Sequence, residues 1–167
     1  VGMLPVTYGY LLMLGAEGLE MVTKMAILNA NYLASSFEKL GFKILFKGSK
    51  GRVGHEMIWD CNMFNKEYGI SELDIAKRLM DFGFHAPTLS FPVHGTLMVE
   101  PTESEPKEEL DRFIEALKTI REEMIEVGQG KADKTDNVLK NAPHTHKVLT
   151  ADEWSHAYPR SKAAYPL

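Results

Sequence analysis

GFKILFKGSKGRVGHEMIWDC, residues 41–61, is the stretch on which the fold turns. Phe42 to Phe46 is a short apolar run, and Gly48-Ser49-Lys50-Gly51 is a turn signal. Val53 to Cys61 reads as the returning strand, with Val53, His55, Met57, Trp59 and Cys61 on one face. Two such runs joined by a turn predict a hairpin and an antiparallel sheet.

Upstream, Leu19, Val22, Ala26, Ala30, Leu33, Phe37 and Leu40 recur at spacings of three and four. That periodicity predicts a long helix from about Ala16 to Leu40, with Gly41 placed to end it. Before it, Leu4 to Leu14 is a short apolar segment punctuated by Gly15 and Gly18. Downstream, Ser71 and Asp74 have capping-box spacing for a second helix carrying Leu73, Ala76, Leu79 and Met80, stopped by Gly83. Phe84 to Phe91 and Thr96 to Glu100 read as two more strands, the first interrupted by Pro87. Ser104-Glu105-Pro106 opens a third helix with the stripe Leu110, Phe113, Leu117, Ile120, Met124 and Val127. Past Gly128 regularity stops. In that tail Trp154, Tyr158 and Tyr165 suggest packing against the rest of the protein.

The expected architecture is α+β, an antiparallel sheet covered by helices on one face. Residues 1–41 form an apolar segment and linking helix, 42–128 an α/β sandwich and 129–167 an irregular tail. The chain has 167 residues, 44% of them hydrophobic, enough for a real core. Its net charge of -4, with no basic stripe among aromatics, argues against nucleic-acid binding. The apolar stretches are too short and interrupted to span a bilayer. One cysteine, Cys61, excludes an internal disulfide. The chain begins Val1-Gly2-Met3 and reads as a segment of something longer.

Motifs for chemistry are sparse. No phosphate loop, dinucleotide fingerprint, C-x-x-C or i, i+4 histidine pair is present. Cys61 reads as a small hydrophobe at a strand end, with a nucleophile the lesser alternative. His144 and His146 sit in a proline-containing loop, where solvated or capping roles outweigh metal ligation, so no metal site is expected. His55-Glu56 is either a strand pair or a group facing a cleft, and Phe84-His85-Ala86-Pro87-Thr88 either a site or a packed turn. The acidic run Glu100 to Glu105 is mostly explained by the preference of acids for a helix N-terminus.

Several separated strings carry a family likeness. Gly83 to Thr88 reads GFHAPT and Gly95 to Glu105 reads GTLMVEPTESE. Ala26 to Tyr32 reads AILNANY, Gly54 to Glu56 reads GHE, and Leu139 to Thr145 reads LKNAPHT. Together with Asp74 to Asp81 and Lys107 to Phe113, these resemble the C-terminal portion of glycine decarboxylase, the P-protein of the glycine cleavage system. The resemblance implies the small C-terminal domain of the aspartate-aminotransferase-like, pyridoxal-phosphate-dependent (fold type I) transferase fold. It implies an enzyme that decarboxylates glycine and passes the aminomethyl group to the lipoyl arm of H-protein, with the pyridine ring as electron sink. The implied partners are the large cofactor domain of the P-protein and H-protein, in a homo-oligomer or two-subunit assembly. The implied compartment is the bacterial cytoplasm, or the mitochondrial matrix in a eukaryote. The family's cofactor lysine motif, a histidine-lysine pair before a glycine-rich run, has no counterpart here. The chain alone is therefore expected to bind no cofactor covalently and to be inactive. Residues 60–68 and His94 depart from the family's usual pattern.

His85, Thr88, Glu100 and Thr102 are the substrate-cleft candidates. The strand ending at Glu100 has no arginine to clamp a substrate carboxylate, which suits a carboxylate that must leave as carbon dioxide. The alternative is a non-enzymatic module that docks a lipoyl carrier or partner subunit.

Overall fold

A computed structural model describes residues 1–166. Ten elements follow in order: α1 (Leu4–Lys39), β1 (Lys43–Leu45), β2 (Met57–Asp60), α2 (Asn62–Tyr68), α3 (Glu72–Asp81), β3 (Thr88–Leu89), β4 (Thr96–Val99), α4 (Lys107–Gly128), α5 (His146–Leu149) and α6 (Arg160–Ala164). The strands form one antiparallel sheet in the order β1-β2-β4-β3. This is the α+β class expected from the sequence.

The sheet register sets the core. Met57 lies opposite Val99 and Trp59 opposite Leu97, and all four are buried. Trp59 sits at the centre, its ring 5.5 Å from Phe37 and 4.7 Å from Phe42. Phe37 comes from α1 and Phe113 of α4 packs beside it at 5.9 Å. α4 buries the stripe expected of it, from Leu110 through Val127, against α1, α2 and α3.

The helix ends follow their local signals. Ser71 and Asp74 form a complete capping box. Gly41 takes φ 83°, its N–H donates to Glu38 O, and the Phe42 N–H donates to Phe37 O. That is a Schellman closure, sealed by the Phe37–Phe42 contact. Gly83 does the same at φ 79°, with Phe84 N–H donating to Leu79 O.

Elsewhere the structure departs from the expectation. Residues 4–14 are helical and join the expected helix across a kink at Gly15, whose φ of 59° suits glycine. The α1 stripe is buried only from Asn29 onward, and Leu19 is exposed. The strand expected over 53–61 is paired only over Met57–Asp60. Val53 stays buried, but His55 lies in the preceding loop and is exposed, so alternation fails there. The strand expected over 84–91 is reduced to Thr88–Leu89, because Pro87 lacks a ladder donor. The third helix begins at Lys107, with Pro106 as its N-cap. α2 was not foreseen; its seven residues, with Phe64 its one buried residue, are too few to show a stripe. The tail, expected to be irregular, carries the short helices α5 and α6 and is tightly held: Asn137, Val138, Leu139, Ala142 and His144 are buried. Trp154 and Tyr158 pack on His144, while Tyr165 is exposed.

Candidate functional site

Asparagine is a poor choice for a helix interior, yet α1 carries Asn29 and Asn31 two residues apart. Each fixes a distant segment. Asn29 Nδ2 donates to Thr102 O at 2.8 Å and to Glu105 O at 3.4 Å. Asn31 Oδ1 accepts from Val53 N–H at 3.1 Å and its Nδ2 donates to Val53 O at 3.0 Å. The chain after β4 and the loop before β2 are thereby tied to one rigid helix. The two asparagines of the AILNANY string hold these two segments in place, and their helix-disfavouring chemistry was the available clue.

The segment after β4 borders a cleft of about 410 Å³. His85, Thr88 and Glu100 line it, with Glu105 just before α4, Glu109 in its first turn, and an apolar floor that includes Leu33 and Phe113. Thr102 is exposed just beyond the lining, with its carbonyl engaged by Asn29. One wall is braced by Arg112. Its guanidinium lies 3.8 Å over the Phe84 ring, donates to Glu109, and donates to Phe82 O at 2.7 Å. Arg112 holds the Glu109 carboxyl below the usual range. No lysine or arginine is among the described residues that line the cleft. Pyridoxal phosphate needs a lysine for its aldehyde and cationic or N–H donors for its phosphate. No lysine lines the cleft among the described residues, so this surface does not fit as the anchor for the cofactor's aldehyde.

Glu100 also faces the loop before β2. Atoms of His55, Glu56 and Glu100 lie within 4.8 Å of one another, the one group of this kind among the described residues. His144 and His146 do not converge. His146 is exposed at the start of α5, and His144 is buried in a second polar cluster.

That cluster ties the tail to the helices. Arg78, fully buried, donates twice to Glu123 at 3.0 and 2.7 Å, to Asp81 at 2.9 Å and to Lys162 O at 3.0 Å. Asp81 accepts the His144 backbone N–H at 2.7 Å and its Oδ2 lies 2.7 Å from His144 Nδ1. His144 Nε2 lies 2.7 Å from the Tyr158 hydroxyl. Burial pushes Tyr158 up to about 12, so its hydroxyl stays protonated beside Nε2. Burial raises the Asp81 carboxyl, but His144 and Arg78 outweigh it and hold it below the ordinary value. Asp74 is likewise held low against burial by Lys140 and Ser71. The LKNAPHT string is therefore a strap: Lys140 binds the cap of α3 and His144 binds its end. Cys61 is buried, and burial pushes its thiol well up, so it is no ready nucleophile.

The sheet, its helical cover and the cleft define a small α+β domain. Comparison with known proteins gives the family. The chain belongs to the family described as glycine dehydrogenase, C-terminal domain, whose sequence model matches residues 22–144. Relatives named glycine dehydrogenase (decarboxylating) match almost the whole of this chain. The Bacteroides fragilis protein is 60% identical over 166 residues, 99% of this chain. The Bordetella avium protein is 57% identical over 99% of the chain, and the Akkermansia muciniphila protein 59% identical over 95%. The chain spans 17% of the length of each of these relatives. No described helix is long and apolar enough to cross a membrane.

Proposed function

We propose that this chain serves as the small C-terminal domain of a pyridoxal-phosphate-dependent glycine dehydrogenase (decarboxylating), in the aspartate-aminotransferase-like arrangement. The cofactor and its lysine belong to the large domain outside these 167 residues. The chain contributes one wall of a cleft that the large domain completes. Its partners are that domain and the lipoyl H-protein that receives the aminomethyl group, in a homo-oligomer or two-subunit assembly in the bacterial cytoplasm.

The observation that carries this reading is family identity of about 60% across the chain, including both segments that form the cleft. The chemistry of the wall is compatible. His85, Thr88 and Glu100 offer polar contacts above an apolar floor, and no lysine or arginine is among the described residues there to hold a substrate carboxylate. A carboxylate pinned by a guanidinium would be stabilised in the ground state more than on the way to neutral carbon dioxide. The docking-module alternative draws on the exposed apolar residues of α1 before Asn29, but such a face suits a domain that closes on a larger body equally well.

A chimera tests the proposal. This chain replaces the corresponding C-terminal segment of the Bacteroides fragilis relative, and carbon dioxide release from glycine is measured with a lipoyl carrier. The expected result is turnover in the chimera, none from the isolated chain, and loss of turnover with Glu100→Arg. A folded, cofactor-loaded chimera without activity would sink the reading, and unchanged kinetics in Glu100→Arg would sink the role given to Glu100.

A further inference from the structure

The antiparallel ladder that builds the core ends at the Met57–Val99 pair, and Glu56 and Glu100 are the residues next beyond it. Like charges brought close together repel. Among the described ion pairs no lysine or arginine reaches either carboxylate. The charged neighbour of Glu56 is His55, with Nε2 3.7 Å from Oε2. One ligand atom from each of His55, Glu56 and Glu100 falls within a 4.8 Å circle.

From this geometry we propose that His55, Glu56 and Glu100 bind a divalent transition-metal cation of the zinc type. One imidazole nitrogen and two carboxylate oxygens form a mixed donor set. Imidazole suits zinc, copper, iron and nickel, whereas calcium and magnesium take oxygen alone. Two ligands at about 2.1 Å on a tetrahedral zinc are about 3.4 Å apart, so modest rotation of these solvent-facing side chains closes the site. A dipositive ion between the two carboxylates offsets this repulsion. Three protein ligands leave a coordination position for water, at the lip where Glu100 also borders the cleft.

The backbone is anchored on both sides of these residues. Asn31 fixes Val53 two residues before His55 through both of its backbone groups. Asn29 fixes Thr102 two residues after Glu100, and the intervening Pro101 is buried. Ligands carried on anchored backbone lose little freedom on binding, which is what supporting interactions contribute at metal sites. This site does not depend on the enzymatic reading and can stand or fall without it.

The test uses the 167-residue chain after metal removal. Zinc is titrated calorimetrically and cobalt(II) by absorption. The expected result is one ion per chain, with cobalt bands of a nitrogen and oxygen donor set. His55→Ala and Glu100→Gln should each weaken binding by about tenfold or more, while His146→Ala leaves it unchanged. In the unsubstituted chain, zinc should shift the imidazole resonances of His55 and leave those of His144 in place. No saturable binding, binding that survives the His55→Ala/Glu100→Gln double variant, thiolate charge-transfer bands from Cys61, or shifts confined to other histidines would each overturn the proposal.

Discussion

Replacing Arg78 with methionine should be among the most damaging single changes in the chain. The guanidinium is fully buried, and the carboxylates of Glu123 and Asp81 are 4% and 3% exposed. Arg78→Met removes both donors to Glu123, one to Asp81 and one to the Lys162 carbonyl. Asp81 keeps the two His144 contacts, so the penalty falls mainly on Glu123, left charged and dry. Breaking a buried pair from one side costs about 3–5 kcal/mol. That is a large share of the 5–15 kcal/mol typical of a domain. The assay is urea unfolding followed by tryptophan fluorescence, with Trp59 reporting the core and Trp154 the tail. Adding Glu123→Met to Arg78→Met should restore more than half the loss, because the orphaned charge is gone. A cost below about 1 kcal/mol for the single variant, or a double variant less stable than the single, would refute the reasoning.

Other outcomes follow from the same contacts. Asn31→Ala strands the N–H and C=O of Val53 and should cost about 1–3 kcal/mol, with faster amide exchange around Val53 and none of that change in α3. Asp74 and Asp81 titrate below the ordinary aspartate value of about 3.9 when folded, so the stability they supply is complete above that pH and is lost as pH falls through their lower folded values. Acid should release the tail strap, seen as a change in Trp154 fluorescence, and Asp74→Asn should flatten that transition; an acid curve identical to the parent's would contradict the assignment. Gly95→Ala puts a side chain at φ 78° and overlaps Asn62, so it should destabilise by more than about 1–2 kcal/mol in thermal unfolding. The exposed Leu4, Leu11, Leu12 and Met13 should drive self-association of the isolated chain, which sedimentation velocity would show and Leu12→Glu would reduce; a strictly monomeric profile at all concentrations counts against it.

The sequence by itself determined what depends on neighbours along the chain. The Ser71–Asp74 box, the glycine closures at Gly41 and Gly83, the stripe of α4 and the paired runs of an antiparallel sheet are all local preferences with fixed spacing. The family strings were legible for the same reason, as contiguous words. His85, Thr88 and Glu100 could be named, but nothing in their spacing showed that they border one cleft. The tertiary structure alone decided which half of α1 finds cover, how short β2 is, and where the polar groups go. Arg78 meets Glu123 across 45 residues and His144 meets Asp81 across 63. Glu100 meets His55 and Glu56 only because β4 folds back beside β2 in one register. Periodicity reports the dihedral preference of a segment and the side it will bury. The partner that satisfies a buried charge is set by which distant segment packs against it, and that is a property of the folded core.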